Sequence, residues 1–348
     1  MKKRVTQAQI AELSGVCQST VSLVLSGKQN AAVQPETYER VFQAARELGY
    51  HKIGSKLSGE QTGYIGFFVS ESCHKDDRKE YIRRFYNGVL EELGNERFRL
   101  IQTVIRDDEE IPELVRQGKV DGVIIEDSCD EEMVRRTASL VPVVLVNYEN
   151  PFLDIDSCAP NNVGGMWQAM KHLYDLGHRR IALFSASHLS YNHAERLQGY
   201  RSSLAAFGLP VREEDIALCD FDWAADWDAA EQASLNIFDR LFDQPDPPTA
   251  VMSLCDFDAT FLLRAARLRN IEVPAHLSVV GFDNSALYKQ MVPRLTTIHQ
   301  PMEAMGRQAC RMLLARIDGC DQPAAHTRLA LSLIVQESTA APAIVASR

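Results

Sequence analysis

Apolar positions in the first fifty residues recur with the spacing of three short helices. Thr6-Gln7-Ala8-Gln9 is a capping-box pattern, in which a threonine and a glutamine each satisfy a free amide at a helix start. A first helix is therefore predicted from Gln7 to a stop at Gly15, where the missing Cβ permits the positive φ of a tight turn. A second helix is predicted from Gln18 to Leu25 and a third from Pro35 to a stop at Gly49. The order helix, tight turn, helix is that of a helix-turn-helix motif.

From Tyr64 onward the pattern changes to short β-branched runs that alternate with amphipathic stretches. Strands are predicted at residues 65–69, 100–105, 122–125, 143–146, 181–184, 216–218, 250–253, 278–281 and 329–336. Helices are predicted within residues 80–93, 163–176, 194–207, 226–242 and 257–269. This alternation indicates an α/β protein with parallel sheets flanked by helices, and the strands are more numerous than one compact half needs. We therefore expect two α/β lobes, with a ligand site in the cleft between them.

The charge of the chain is unevenly distributed. The 348 residues carry a net charge of -10, yet residues 1–60 hold eight Lys or Arg against five Glu. A small basic head therefore precedes a larger acidic body, which fits nucleic-acid binding by the head alone. On charge alone, a solvated N-terminal extension fits equally well.

Composition and motifs narrow the class of protein. With 45% hydrophobic and 24% charged residues, the chain is typical of a folded globular protein of two or three domains. Neither a run of roughly 18 apolar residues nor a signal-peptide core is visible, so we expect a cytoplasmic protein without membrane contact. The eight cysteines form no Cys-x-x-Cys pair, which argues against a metal site or a disulfide framework. The sequence has no phosphate-loop, dinucleotide-binding, nucleophile-elbow or zinc-protease motif, so we expect neither an enzyme nor a cofactor.

The second predicted helix carries the candidate DNA readers. In a helix-turn-helix, this helix enters the major groove with its N-terminal residues at the base edges. Gln18 and Ser19 occupy that end and can hydrogen-bond to bases, while Thr20 and Ser22 can contact phosphates. An apolar three-helix pattern alone would more often be a structural bundle, so these polar residues decide the interpretation.

These features come together in a resemblance to the lac/gal repressor family of bacterial regulators. In the head the resemblance rests on Ile10-Ala11-Glu12, Gly15-Val16, Ser19-Thr20-Val21-Ser22, Glu36-Thr37 and Glu47-Leu48-Gly49-Tyr50. In the body it rests on Val120-Asp121-Gly122, Leu176-Gly177-His178-Arg179-Arg180-Ile181, Arg196-x-x-Gly199-Tyr200 and Ser278-Val279-Val280-Gly281-Phe282-Asp283. The resemblance implies a helix-turn-helix domain at 1–50, a hinge at 51–62, an effector-binding and dimerisation domain at 63–340 and a tail at 341–348. The third of these would have the two-lobed type I periplasmic-binding-protein fold.

The resemblance also implies DNA-contacting residues. Gln18 and Ser19 would be the main base readers, with Leu23 at a third reading position that family members often fill with Arg or His. Leu23 cannot donate a hydrogen bond, so it would contact a thymine methyl group. Leu57 matches a hinge leucine that the family wedges into the minor groove, although a plain flexible linker is the alternative for this segment. The full expected set is Thr6, Cys17, Gln18, Ser19, Thr20, Ser22, Leu23, Gly54 and Leu57.

A second set of residues would bind the effector. Arg196 would be the principal anchor, because a guanidinium fork matches a vicinal diol, a carboxylate or a phosphate. Asp283 would accept hydrogen bonds from ligand hydroxyls, and Trp223 would stack on a sugar ring. Asn147 and Cys255 replace an Asp and an Asn that are frequent in the family, so the ligand should present fewer hydroxyls there. The full expected set is Tyr81, Asn147, Arg196, Trp223, Cys255, Asp256, Asp283 and Gln300.

The sequence thus predicts a homodimeric transcriptional repressor whose affinity for double-stranded operator DNA responds to a carbohydrate-like small molecule. A dimer is favoured because the segment after the last strand is too short for a tetramerising helix. Three alternatives stay open. These are a small-molecule sensor that acts through a protein partner, a sugar-modifying enzyme on the same fold, and a regulator that binds a phosphoprotein corepressor or no effector.

Overall fold

The computed structural model describes residues 6–25, 33–48, 61–71, 79–94, 97–106, 108–126, 130–185, 190–218 and 227–343. Gly54, Leu57 and Trp223, which were expected to bind DNA or effector, lie outside these residues. The chain divides into two compact units. The first unit holds the described residues of 1–74, 84–158 and 303–327, and the second unit holds those of 75–83, 159–302 and 328–343.

Three helices at the start of the chain confirm the predicted elements: α1 (Gln7–Ser14), α2 (Gln18–Leu25) and α3 (Pro35–Glu47). At the start of α1, the Thr6 hydroxyl accepts from the Gln9 amide, and Gln9 Oε1 accepts from the Thr6 amide at 2.9 Å. Gly15 follows α1 with a φ of 67°, the left-handed conformation that a tight turn requires. The capping box and the turn glycine therefore set both ends of the first helix.

A small apolar core holds these three helices together. Its fully buried members are Ile10, Val21, Val24, Val41 and Ala45. Because Val21 and Val24 place one face of α2 inward, the other face of this helix is left accessible to solvent. The core therefore decides which residues of α2 can meet a partner.

The body is built from alternating strands and helices. The strands are, in chain order, β1 (Tyr64–Ser70), β2 (Arg99–Ile105), β3 (Gly122–Glu126), β4 (Val143–Val146), β5 (Asp156–Pro160), β6 (Ile181–Ser185), β7 (Ile216–Leu218), β8 (Ala250–Ser253), β9 (Ser278–Asp283), β10 (Thr296–His299), β11 (His326–Leu329) and β12 (Ser332–Ile334). The helices are α4 (Lys79–Leu93), α5 (Glu113–Arg116), α6 (Glu131–Ala138), α7 (Asn162–Asp175), α8 (Tyr191–Ala206), α9 (Trp227–Phe242), α10 (Asp256–Leu268) and α11 (Met302–Ile317).

These strands form two six-stranded sheets, with the orders β11-β5-β4-β3-β1-β2 and β12-β10-β9-β8-β6-β7. Neighbouring strands from β2 to β5 run parallel, as do those from β7 to β10, whereas β12 runs antiparallel to β10. The predicted class, an α/β protein with parallel sheets behind an N-terminal helix-turn-helix, is confirmed. In such sheets the carboxyl ends of the strands share one edge, where ligands bind.

Two strands were not predicted from the sequence, and one predicted strand is in fact two strands. The pattern missed β5 and β10 because their buried polar residues find partners far along the chain. Asp156 of β5 is paired with Arg316 at 2.6 Å, and Thr297 of β10 donates to Asp256 at 2.6 Å. The single strand predicted at 329–336 is two strands, β11 and β12, and each joins a different sheet.

The sheet of the second unit is covered by helices on both faces. One apolar cluster joins it to α7 and α8, and another joins it to α9 and α10. Tyr200 of α8 is fully buried, and its hydroxyl donates to the backbone oxygen of Ile181 at 2.7 Å. Both clusters fix the strands firmly, so the residues at the ends of these strands have a rigid support.

In the first unit, α4 and α11 approach each other closely at two glycines. A Cβ at Gly306 would overlap the backbone oxygen of Phe85, and one at Gly88 would overlap that of Glu303. Beside this contact Arg84 donates to both oxygens of the Glu303 carboxylate, at 2.8 and 3.0 Å. The two helices can come this near only because both positions lack a side chain.

We expect Gly306→Ala to lower the free energy of unfolding by about 1–3 kcal/mol, because the added methyl group meets backbone that cannot move aside easily. Helix propensity alone predicts the opposite sign, a gain of up to about 1 kcal/mol. Urea unfolding followed by circular dichroism decides between these two effects. Ala304→Gly, on the same helix, measures how much helix propensity alone changes the free energy of unfolding. A more stable Gly306→Ala protein would contradict the close contact.

Candidate functional site

The accessible face of α2 carries the residues that sequence analysis assigned to DNA. Gln18 and Ser19 are exposed, and Thr20, Ser22 and Leu23 are half-buried. Gln18 and Ser19 lie in the first turn of α2, at the end that a helix-turn-helix directs at base edges. The structure thus places all five residues on one short helix, with both candidate base readers open to a partner.

Cys17, immediately before α2, links two of these residues. Its Sγ lies 3.0 Å from Ser19 Oγ and 3.0 Å from Thr20 Oγ1. These contacts, first that of Ser19 and then that of Thr20, lower the pKa of the exposed Cys17 thiol to about 7. The Cys17 thiol therefore lies within hydrogen-bond distance of two of the candidate DNA-contacting hydroxyls.

In the second unit, Arg196 of α8 is the most strongly held of the expected effector residues. Only 2% of the residue is exposed. Its Nε donates to Asn162 Oδ1 at 3.0 Å and its Nη1 donates to the Leu254 carbonyl at 2.5 Å. The guanidinium also stacks on the ring of Phe282, with its central carbon 3.8 Å from the ring centre. The fork is thus fixed in one orientation.

Three other expected residues gather around this guanidinium. Asp283 Oδ1 lies 3.3 Å from Arg196 Nη2 and accepts from Gln300 Nε2 at 2.5 Å. Gln300 Nε2 also lies 3.3 Å from the hydroxyl of Tyr81. Arg196, Asp283, Gln300 and Tyr81 therefore form one cluster, named here the Arg196 cluster, and it lies beside the carboxyl ends of β9 and β10.

Cys255 and Asp256 have partners within the protein. Cys255 precedes α10, where its Sγ accepts from the Asp258 amide at 3.4 Å, and burial raises the pKa of this thiol well above its ordinary value. Asp256 accepts from Thr297 Oγ1 at 2.6 Å and from the Ser285 amide at 2.9 Å. Burial raises the pKa of Asp256 to about 8, and the negative charge of Asp283 shifts it in the same direction. The Cys255 thiol is thus a helix cap and stays protonated at neutral pH.

The backbone after two of the strands adopts conformations that non-glycine residues seldom take. Asp283 has a φ of 113° and Asn284 a φ of 51°, directly at the end of β9. Asn147, which follows β4 in the first unit, has a φ of 64°. Such strain concentrates where a structure must aim particular groups, so these strand ends are candidate functional positions.

Asn147 belongs to the first unit, whereas the Arg196 cluster belongs to the second. Its Nδ2 donates to Glu126 Oε1 at 3.0 Å, and both residues are at most 2% exposed. Glu126 is the last residue of β3, next to β4 in the sheet. The carboxyl edge of this sheet therefore also carries a buried polar pair.

Sequence analysis missed several members of these networks. Asn162 accepts from Arg196 and donates to Asn192 Oδ1 at 2.8 Å and to Glu195 Oε2 at 3.1 Å. It begins α7 directly after β5, and because β5 was not predicted, its place at a strand end was not visible. Glu126 follows a predicted strand, so the rule that ligand-binding residues sit at carboxyl ends of parallel strands could have found it.

A cavity of about 390 Å³ in the second unit lies elsewhere. Its walls include Arg180 and Ile181 at the start of β6, Thr249 before β8, and Pro342. Arg180 is held there by Asp215 at 2.6 Å. This is the amino-terminal end of the sheet, and the residues of the Arg196 cluster do not line the cavity. The cavity is therefore distinct from the predicted effector site.

Two kinds of feature are absent from the part of the chain that the structure describes. Within it, no three His, Cys, Asp or Glu side chains are grouped in a way that could hold a metal ion. Among the same residues, no helix is both long and apolar enough to cross a membrane.

Comparison with known families and structures agrees with this architecture. Residues 6–52 match the family model for bacterial regulatory proteins of the lacI family, and residues 170–339 match that for a periplasmic-binding-protein-like domain. The chain is 31% identical over 355 residues to the HTH-type transcriptional regulator CelR of Thermobifida fusca, which covers 97% of this chain and 99% of CelR.

Solved structures show the same likeness. A complex of the transcriptional regulator CelR with cellobiose is 29% identical, with a TM-score of 0.67 over 96% of this chain and 100% of that one. A LacI-family regulator from Enterococcus faecium with bound ribose is 25% identical, with a TM-score of 0.66 over 80% of this chain and 99% of that one. With a relative of this identity spanning nearly its whole length, the chain belongs to the lacI family of bacterial transcriptional regulators.

Proposed function

We propose that this regulator binds a palindromic operator as a homodimer, and that an uncharged polyhydroxyl molecule such as a sugar changes its operator affinity. The observation that carries the proposal is the Arg196 cluster. It combines a fixed fork of donors, a carboxylate acceptor, an amide and a phenol at the carboxyl ends of two parallel strands.

The geometry of Arg196 fits a pair of neighbouring hydroxyls. A guanidinium has five N–H groups. Among the residues that the structure describes, Asn162 accepts from Nε, while the Leu254 carbonyl and Asp283 each engage one terminal nitrogen, and each terminal nitrogen carries a second N–H. Guanidinium donors beside the Asp283 carboxylate suit a vicinal diol, whose hydroxyls both accept and donate.

The balance of charge argues against an anionic effector. The positive charge of Arg196 is already compensated by Asp283 at 3.3 Å, and the carboxyl group of Asp256 lies close to the same pair. A phosphate or carboxylate at this place would meet the negative charge of Asp283, and Arg196 is the single cation among the described residues of the Arg196 cluster. A neutral ligand avoids this cost.

Two relatives support a sugar as the effector class. CelR has been solved with cellobiose and the Enterococcus faecium regulator with ribose, and both sugars are uncharged and rich in vicinal hydroxyls. Both relatives are described as transcriptional regulators, which supports ligand binding without catalysis in this chain as well. Binding in one conformation better than in another would then shift the population of dimers that fit DNA.

The DNA-binding half of the proposal rests on α2. The first turn of this helix exposes Gln18 and Ser19, which have the length and hydrogen-bonding groups to read base edges. A two-fold dimer presents two such helices to successive major grooves, so the operator should be palindromic. Since the target is chromosomal DNA, the proposed place of action is the cytoplasm.

A thermal-shift screen tests the effector class. Cellobiose, ribose and other neutral sugars are compared with glucose 6-phosphate and ribose 5-phosphate. We expect at least one neutral sugar to raise the melting temperature, since a ligand at 100 times its Kd stabilises the folded protein by about 2.7 kcal/mol. Stabilisation by the phosphorylated sugars alone would contradict the proposal.

The matched variants for this screen lie on one helix. Arg196→Lys keeps the charge but loses the fork, so the shift caused by the active sugar should disappear. Arg201→Lys changes an exposed arginine of the same helix, which pairs with Glu213 at 2.9 Å, and should keep the full shift. An equal shift in both variants would mean that Arg196 does not hold the sugar.

The two kinds of DNA contact can be separated by substitution in α2. We expect Gln18→Ala to change the preference at one base position of each half-site by roughly 1–3 kcal/mol. Thr20→Ala should weaken binding to all sequences alike, because a phosphate contact carries no sequence information. Gel-shift titrations against single-base operator variants measure both effects, and uniform losses for both proteins would remove Gln18 from the base readers.

A further inference from the structure

The turn that follows β9 presents Asp283 to the Arg196 cluster in a strained conformation. Asp283 and Asn284 both have positive φ, at 113° and 51°, although neither is glycine. Such a backbone persists only where its surroundings hold it in place. The residues Asp283, Asn284 and Ser285 are named here the 283–285 turn.

Two hydrogen bonds hold the backbone of this turn. The Ser285 amide donates to Asp256 Oδ2 at 2.9 Å, and the Asn284 amide donates to Thr297 Oγ1 at 3.3 Å. The Thr297 hydroxyl in turn donates to Asp256 Oδ1 at 2.6 Å. Asp256 therefore fixes two successive amides, one directly and the other through the hydroxyl of Thr297.

A glycine in β9 leaves space for the carboxyl group of Asp256. A Cβ at Gly281 would overlap Asp256 Oδ1, so β9 can pass beside the group only with a glycine there. Asp256 is 2% exposed and Thr297 is likewise 2% exposed. Protein donors therefore engage both carboxyl oxygens of Asp256.

Several charged or titratable groups lie near Asp256 and the 283–285 turn. Asp283 of β9 and Arg196 of α8 act on Asp256 by their charges. On the flanks of the turn, Ser285 Oγ donates to Glu80 at 3.2 Å and Asn284 Nδ2 lies 3.2 Å from His299 Nδ1. On α10 itself, the carboxylate of Asp258 accepts from Ser185 Oγ at 2.8 Å.

We propose that Asp256 is a positioning residue and not an effector contact: it clamps the 283–285 turn so that Asp283 faces Arg196 and Gln300. The effect on effector affinity rests on the proposed function, whereas the clamp is a property of the ligand-free protein. Ionised Asp256 accepts two strong hydrogen bonds, and its protonated form accepts more weakly. The clamp therefore strengthens as pH rises through the raised pKa of Asp256.

Hydrogen exchange of the ligand-free, full-length protein tests the clamp directly. Protection factors of the Asn284 and Ser285 amides are measured at pH 6.5 and pH 9.5 in wild type, Asp256→Asn, Thr297→Val and Thr297→Ser. Asparagine imitates protonated Asp256, because it places a donor where the carboxylate has its second acceptor. The turn at Asn270, which also has a positive φ of 55°, is the internal control.

At pH 9.5 we expect protection of both amides to fall roughly tenfold or more in Asp256→Asn, as for a lost hydrogen bond to a charged group. At pH 6.5 the difference from wild type should shrink, which a packing role of the side chain would not produce. Thr297→Val should lower protection of Asn284 at both pH values, and Thr297→Ser should restore it. Unchanged protection in Asp256→Asn at pH 9.5, or equal losses at the Asn270 turn, would overturn the proposal.

A second arm measures affinity for each sugar that stabilises the wild type. At pH 9.5, Asp256→Asn should lower affinity for all of these sugars by a similar factor, because a misplaced Asp283 affects every ligand alike. Loss of turn protection with unchanged sugar affinity would overturn the positioning role. If no sugar binds the wild type, the proposed function fails, and the exchange measurements still decide whether Asp256 clamps the turn.

Discussion

The guanidinium of Arg196 and the carboxylate of Asp283 lie 3.3 Å apart in the second unit, with side chains 3% and 15% exposed. The rest of the site depends on this ion pair. Charges removed from water are costly unless hydrogen bonds replace the lost hydration. Here Asn162 and the Leu254 carbonyl satisfy the guanidinium, and Gln300 donates to the carboxylate. The pair is thus tolerable inside the protein, and it would present the proposed polyhydroxyl ligand with a guanidinium beside a carboxylate.

This polar cluster depends on the apolar layers behind it. The strands that carry its residues are buried against helices on both faces, so their ends cannot move independently. The strained turn at Asp283 persists only because the strands support it, since the backbone of Asp283 and Asn284 would relax in a mobile loop. The rigid strands and the strained turn together hold the Asp283 carboxylate in a fixed position, which a flexible loop could not do.

Much of this architecture could be predicted from the sequence. The capping box at Thr6, the turn at Gly15 and the periodicity of α2 are local signals, and each fixed an element that the structure confirms. Long-range polar contacts carry no such signal. The strand β5 was missed because Asp156 is stabilised by Arg316, and the contacts of Asp256 with Ser285 and Thr297 join positions 29 and 41 residues apart, respectively. The family resemblance supplied the candidate site residues, while the contacts that distinguish Asp256 from Asp283 are visible only in the structure.

The most direct test of the account is selection of genomic DNA fragments by the purified full-length protein, with and without the neutral sugars. We expect recovered fragments to share a palindromic site whose half-sites suit one recognition helix each, and we expect one sugar to change the recovery of that site. Failure to enrich any sequence under either condition would contradict a regulator that reads DNA through α2 and responds to a sugar at Arg196. It would favour a sensor that acts through a protein partner.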